Sequence, residues 1–404
     1  MKNTEQKSKK AIIIGCGIAG PSLAIALKRA GIDSAIYEEH DTRYNFGLLS
    51  LTPNTFHVLD ILGVSDAVLE KGYQVDGVNF YSSNGNSMGR MGSTSEMQER
   101  YGSGTVMIRR MLLNKILCDK AESLGVKIEW GKKLKNIEVI EKQKVLAHFE
   151  DGTKIEGDML VGCDGIHSKT RTLMMPDFPE LTYTGTVLVG GIIDDSMQVS
   201  LTPNTYHMTF GRNLHFGNLV EESGDKIWWT YVPYPEDSVK NRTKIPWDKW
   251  EKKILTLLQD DHEIVRKSVE MTRETLLYLP IYNIPHLPTW HKGLVCLIGD
   301  AAHAISPHAG QGATMAIEDT VVLAKCLRDK LDIQDAFVLF EKIRKRRAEK
   351  VVKVAQQLGN IFSMTNPVQK WFRNKVTLPL FIKRGLKPAD WIYSYKIDWD
   401  EKIK

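Results

Sequence analysis

Three glycines at fixed spacing behind a short apolar run constrain this chain more than any other feature. Ala11-Ile12-Ile13-Ile14 is followed at once by Gly15-Cys16-Gly17-Ile18-Ala19-Gly20. A short run that is apolar throughout reads as a buried parallel strand. Residues Pro21 to Ala30 read as a helix halted by Gly31, and Ser34 to Tyr37 as a second strand ending in Glu38. In such a unit the glycines allow a tight turn, room for a pyrophosphate against bare backbone, and close packing of helix on strand. The helix N-terminus adds unpaired N–H groups and the positive end of a dipole. Glu38 follows Gly15 by 23 residues, where a carboxylate reaches a ribose 2′-hydroxyl. That favours an unphosphorylated ribose, as in FAD or NAD, over NADP. A lone Gly-x-Gly-x-x-Gly also occurs as a glycine-rich turn in unrelated sheets. Strand, helix, second strand and acid in this order favour dinucleotide binding.

Two distant segments bear on the same ligand. Asp158 to Arg171 reads as a strand running into Asp164-Gly165 and a polar helix start, and by itself it is equally a plain turn capped by Ser168. Gly293 to Ile298 is a second apolar strand. It runs into Gly299-Asp300, then Pro307 and Gly310-Gln311-Gly312, then a helix from Ala313 to Leu327. Joined to the upstream fingerprint, this pattern suggests one flavin held from two parts of the chain. A second Gly-x-Gly-x-x-Gly and a Cys-x-x-Cys pair are both missing, which disfavours a two-dinucleotide reductase and a disulfide reductase.

Bulk properties exclude other classes. A chain of 404 residues, 42% apolar and 25% charged, suits a soluble protein of two or three domains. The net charge of +5 is spread out. Its densest run, Lys342 to Lys350, reads as a solvated helix face, and no basic stripe interleaved with aromatics points to nucleic acid. A basic surface still steers anionic cofactors or substrates. Cysteines 16, 118, 163, 296 and 326 are scattered, which argues for a reducing cytoplasm and against a disulfide frame or zinc site. No signal peptide, transmembrane run or stable membrane insertion is expected. The eleven histidines lack metal-ligand spacing, so no metal is expected.

On these three motifs, in this order and spacing, the chain resembles the class A flavin-dependent monooxygenases, the para-hydroxybenzoate hydroxylase-like aromatic hydroxylases, over roughly residues 10 to 355. Tetracycline-inactivating monooxygenases are among their relatives. The resemblance implies an α/β fold: a Rossmann-type FAD-binding domain, an inserted antiparallel-sheet substrate domain and a C-terminal helical tail. It implies pyrophosphate contacts at Gly15, Gly17 and Gly20, a ribose carboxylate at Glu38 and a cofactor-contacting arginine at Arg110. Arg109 competes with Arg110 for that place at a helix head. Asp164 with Gly165 corresponds to a motif linked to both FAD and NAD(P)H. Asp300 corresponds to the aspartate on a ribityl hydroxyl, and Pro307, Gly310 and Gly312 to the loop beside the isoalloxazine ring. One departure is Glu39, where the family usually has arginine; the adenosine end is then held differently, with Arg43 a candidate helper.

The chemistry accounts for these residue types. Reduced flavin is anionic around N1 and the C2 carbonyl, and a helix N-terminus aimed there stabilises it. The implied cycle reduces FAD with NAD(P)H as a transient reductant, adds O2 to give a C4a-hydroperoxyflavin, and moves its distal oxygen to a small aromatic or polycyclic substrate. Flavin carries the hard step while protein supplies orientation and a dry cavity. No protein acid or base is assigned. A flavoprotein reductase or dehydrogenase on the same scaffold, and a flavin-loaded binding protein without turnover, are the rival readings.

Between residues 176 and 280 the pattern changes to short alternating stretches: Thr184 to Ile193, Thr205 to Phe210, His215 to Leu219 and Lys226 to Val232. They read as antiparallel strands. The resemblance implies a sheet roofing the flavin, with one face lining the substrate pocket. Val189, His207, Phe216, Trp228 and Tyr231 are the lining candidates, and ordinary core packing is the competing role for each. His207 and His303 read as structural. The FAD-binding domain is expected at 1–75, 98–178 and 281–360, the substrate domain at 76–97 and 179–280, and a helical tail at 361–404. That tail is aromatic and basic and is interrupted by Pro379 and Pro388. It packs on the sheet, caps the active site or touches a membrane surface. Monomer and homodimer are both open.

Overall fold

The computed structural model describes residues 9–41, 47–141, 143–194, 201–221, 223–240, 245–362, 364 and 366–403. The first apolar run forms the strand Lys10–Ile14, buried from Ala11 onward. It sits inside a six-stranded sheet ordered 291–292, 295–297, 159–162, 10–14, 33–37, 127–129. The central strands run parallel, with Ile14 beside Gly162 and Tyr37, and Gly162 beside Leu297. Both faces of such a sheet are covered, which is why Met159–Gly162 is apolar throughout and wholly buried. The helix Ala19–Arg29 starts two residues earlier than the sequence suggests and is buried through Leu27. It packs on the helix Gly312–Asp329. Gly31 ends it in a left-handed conformation at φ +74°.

A seven-stranded sheet follows, ordered 272–283, 182–193, 226–233, 215–220, 206–210, 78–82, 87–91. All neighbours are antiparallel except Tyr206–Phe210, which runs parallel to Val78–Ser82. Side chains alternate between the faces with period two. One face carries Val187, Val189, Phe216, Trp228 and Val232. It is sealed by Trp250 and Ile254 of the helix Trp247–Leu257 and by Val265 and Val269 of Glu263–Glu270. Phe216 and Trp228 stack there at 5.3 Å with no solvent exposure, each contributing about 2–3 kcal/mol by burial. The other face turns toward the parallel sheet. On it Gly217 is obligatory, because a Cβ there would meet the Trp229 ring at 2.3 Å.

The long helix Ile333–Phe362 leads to the tail. Pro379 does not break the tail. Pro367–Phe372, a π-helical turn Arg373–Thr377 and Leu378–Arg384 run on continuously. The wider turn accommodates the missing proline N–H. Pro388 lies beyond, in the short 3-10 turn Lys387–Ala389. The basic run 342–350 is also two-faced: Arg344 is fully buried rather than solvated.

Candidate functional site

Strand ends at one edge of the parallel sheet bring the distant motifs together. Ile14, Gly162 and Leu297 are in register on adjacent strands, so Gly15, Asp164 and Gly299-Asp300 all emerge at its C-terminal edge. This edge is where open α/β sheets take ligands. Two of the fingerprint glycines are required by the protein itself. Gly15, at φ +101°, would place a Cβ 2.6 Å from the Cys163 carbonyl oxygen, and a Cβ on Gly20 would lie 2.0 Å from that of Gly15. Gly17 differs. The nearest atom to its Cβ position is an Arg110 guanidinium nitrogen at 4.0 Å, so packing does not demand a glycine there. The open space is a cradle at the head of a helix with no side-chain cap and no acid in its first turn. Asn114, on the helix Arg110–Ser123, donates through Nδ2 to the carbonyls of Cys16 and Gly17, both at 2.7 Å. It occupies the lone pairs that would repel a phosphate. Nothing in the local sequence around Asn114 signals this role.

Glu38 closes the turn. Its Oε2 accepts from the Cys16 N–H at 2.6 Å and its Oε1 from the His40 N–H at 3.1 Å. A carboxylate has about four acceptor positions, which leaves two for hydroxyls. Glu39 is exposed and faces His40. Arg43 lies outside the described residues. Arg109 and Arg110 have separate surroundings. Arg109 is bonded to Glu221 at 2.6 Å and Asp225 at 3.0 Å, tying the helix head to the large sheet. Arg110 is exposed beside Gly17.

Asp164 is bound locally. Its carboxylate accepts from Ser168 Oγ at 2.6 Å and from the Thr170 N–H and Oγ1 at 2.8 and 2.9 Å. Burial raises its pKa against the pull of those bonds. Ser168 caps the following helix at Arg171 N. Arg171 then donates to the Ala301 carbonyl at 3.0 Å, linking this motif to the Asp300 segment.

Asp300 opens the helix Asp300–His303, exposed and without a hydrogen-bond partner among the described residues. Gly299 precedes it at φ +58°, ψ −141°, a conformation L-residues rarely adopt, wedged near Ala316 and Ala19. A buried ionic network lies beneath. Asp319 accepts from Gly299 N at 2.9 Å and Arg344 Nε at 2.7 Å, and sits 2.5 Å from His303 Nε2. Burial raises its pKa, but His303 and Arg344 outweigh it and hold the carboxyl below the ordinary value. Glu318 takes Arg344, Arg347 and Asn54. Gln311 donates to Thr52 Oγ1 at 2.9 Å, so the middle of the Gly310-Gln311-Gly312 loop is tethered from below. Gly310, at φ +61°, and Gly312 stay open above: the nearest atom to a Gly310 Cβ is Ser50 Cβ at 3.7 Å, and Gly312 has none within 4 Å. The helix Gly312–Asp329 likewise has no side-chain cap and no acid in its first turn. Two uncapped helix heads, open glycines, unpaired Asp300 and half-used Glu38 fit an extended dinucleotide with a flavin ring.

Of the five lining candidates, only Tyr231 faces that loop; its ring stacks on His308 at 4.2 Å. Val189, Phe216 and Trp228 are on the helix-covered face. His207 shares that face through its pairing with Asn218, and bonds the Thr202 carbonyl at 3.1 Å. The Tyr231 face instead continues through His215, stacked on Phe362 at 4.5 Å, and through Tyr206, whose hydroxyl meets Met107 Sδ. Burial pushes the His308 pKa down to about 4 and that of His215 to about 3, and raises those of Tyr206 and Tyr231. Burial thus favours the neutral form of all four rings on this face. Among the described residues no cluster of three or more His, Cys, Asp or Glu could hold a metal, and no helix is long and apolar enough to cross a membrane.

Residues 8–355 match the family model described as "FAD binding domain". Aurachin C monooxygenase/isomerase of Stigmatella aurantiaca is 27% identical over 374 residues, covering 90% of this chain and 92% of its own. The 6-hydroxynicotinate 3-monooxygenase of Pseudomonas fluorescens is 28% identical over 384 residues, covering 90% and 94%. Among solved structures, Klebsiella pneumoniae HpxO complexed with FAD and uric acid superposes with a TM-score of 0.83 at 24% identity, over 96% of each chain. It shares the fold.

Proposed function

This chain belongs to the FAD-binding-domain family, among the class A FAD-dependent aromatic hydroxylases, and from that premise we propose that it oxygenates a small aromatic or polycyclic molecule at the expense of NAD(P)H and O2. It is an FAD-dependent monooxygenase. The balance is one substrate, one O2, one NAD(P)H and one proton giving oxygenated product, NAD(P)⁺ and water. When bound, the cofactor supplies the two-electron chemistry with NAD(P)H and the activation of O2.

The chain's own residues take the following parts. Gly17 and the two uncapped helix heads oppose anionic charge, Gly15 and Gly20 shape the turn, and Arg110 supplies a cation beside it. Glu38 accepts from a ribose hydroxyl and Asp300 from the ribityl chain. Pro307, Gly310 and Gly312 give a bare edge for the ring. Asp164 acts through Arg171, positioning the Asp300 segment. The substrate meets Tyr231, Tyr206, His215 and His308, whose neutral rings favour a flat, weakly charged molecule and keep water away. On this reading residues 1–75, 98–178 and 281–360 carry the cofactor, and 76–97 and 179–280 carry the substrate face.

The observation that supports this most is the alignment of Gly15, Asp164 and Asp300 at one sheet edge. The test is a panel of phenolic acids, polyketides and other polycyclics assayed for stimulated NADH or NADPH oxidation under ¹⁸O2. The expected result is product heavier by one labelled oxygen. Stimulated oxidation with unlabelled, reduced or desaturated product would favour a reductase or dehydrogenase.

A further inference from the structure

From Val351 to Ala389 the chain carries seven Lys or Arg residues and no Asp or Glu. Most of these cations lie on the helical run 367–384, about 27 Å long at 1.5 Å per residue, or just after it. The run has a seated side and a bare side. Leu378, Phe381 and Ile382 pack against Phe80, Met208 and Phe210 of the large sheet, with Phe362 alongside. The seat is close: a Cβ on Gly89 would meet Ile382 at 2.8 Å. Arg373 is buried there, bonding the Ile361 carbonyl with its guanidinium over the Phe210 ring.

The bare side is amphipathic in its own right. Val368 is 74% exposed, Trp371 62%, Phe372 54% and Leu380 50%, the densest group of exposed large apolar side chains in the described chain. Lys375, Lys383, Arg384 and Lys387 are exposed beside them. Among the described residues none of these four pairs with a carboxylate. Val368, Trp371, Phe372 and Lys375 fall three or four residues apart, and Leu380, Lys383 and Arg384 repeat that spacing after a five-residue step that includes the end of the π-helical turn, with Lys387 just beyond Gly385, so aromatic and cationic groups form one stripe. A soluble surface gains nothing from such an arrangement. An anionic bilayer complements it on both counts: the rings enter the headgroup region, and long cationic side chains remain at the phosphates.

We propose that this stripe is a docking surface for an anionic lipid bilayer, on which the protein lies without crossing. The buried side of the same helix touches Phe210, which with Phe362 backs His215 in the wall proposed above to meet the substrate. Docking would leave one helix and the Phe210 and Phe362 rings between the lipid headgroups and that wall.

The test is flotation of the full FAD-loaded chain with phosphatidylcholine vesicles, with and without phosphatidylglycerol. Binding is expected only to the anionic vesicles and should fall as salt rises. The variant Lys375→Glu/Lys383→Glu/Arg384→Glu should bind at least about a hundred-fold more weakly, given the attraction of each cation to an anionic surface. Trp371→Ser/Phe372→Ser should also lose binding while retaining flavin, because both side chains point away from the fold. Equal binding to neutral vesicles, no binding to either, or a charge-reversed variant that floats like wild type would overturn the proposal. So would a dimer, seen by sedimentation velocity, that Trp371→Ser/Phe372→Ser dissociates, since a second copy would then be the occupant.

Discussion

Replacing Gly17 by alanine should separate cofactor binding from folding. Its backbone is not in the left-handed region, and the added Cβ would find its nearest neighbour 4.0 Å away. Stability of the cofactor-free chain should therefore stay within about 0.5 kcal/mol of wild type. The same methyl would project into the cradle meant for the pyrophosphate. Loss of one charge-assisted hydrogen bond there costs about 1.5–3 kcal/mol, or roughly a 10- to 150-fold weaker FAD Kd. Gly20→Ala is the contrast. Its Cβ would lie 2.0 Å from the Gly15 carbonyl oxygen, so the helix must move, at a cost of about 1–3 kcal/mol or more. Urea denaturation of both apoproteins and FAD titration by flavin fluorescence give the two quantities. If Gly17→Ala destabilised the apoprotein as much as Gly20→Ala, or bound FAD like wild type, Gly17 would not be the floor of a pyrophosphate cradle.

The two sheet faces should respond differently. Tyr231→Leu should change KM or uncouple NAD(P)H oxidation with little loss of stability, whereas Val189→Ala should cost about 1–3 kcal/mol and leave KM unchanged; the reverse pattern in steady-state kinetics and denaturation would invert the facing of the sheet. Removing one partner of the buried network by Asp319→Asn leaves Arg344 poorly compensated, so a loss of about 3–5 kcal/mol is expected; a loss of under about 1 kcal/mol would contradict it. The pH dependence has a definite sign. The folded pKa values of His215 and His308, about 3 and about 4, lie below the unfolded value. Their contribution is complete above about pH 6.5 and is lost as pH falls toward those values, by about 2 kcal/mol each at pH 5. Denaturation at pH 7.5 and 5.0 should show this slope in wild type and a shallower one in His215→Phe/His308→Phe; equal slopes would remove these histidines as its cause.

What the sequence discloses depends on range. The unit from Ala11 to Glu38 is legible because a buried strand, a glycine turn and an amphipathic helix are local patterns. Its boundaries move by only a residue or two. The large sheet's strands are also legible, but which alternate set faces the cofactor is not. A period-two pattern apolar on both faces has no marked side, so Val189, Phe216 and Trp228 look as suitable as Tyr231. The network of Glu318, Asp319, Arg344 and Arg347 joins two helices through the buried side of a lysine- and arginine-rich run, and charge alone suggests a solvated face. Asn114 escapes notice because its partners are carbonyls some 97 residues away. Pro379 looks like a helix breaker because a π-helical turn cannot be read from composition.

A crystal structure of the FAD-loaded chain would probe the joint grip on the cofactor most directly. The pyrophosphate should lie over Gly17, a ribityl hydroxyl on the Asp300 carboxylate and the ring against Pro307 to Gly312. Cofactor density away from that sheet edge, or a chain that stays colourless after reconstitution, would contradict it.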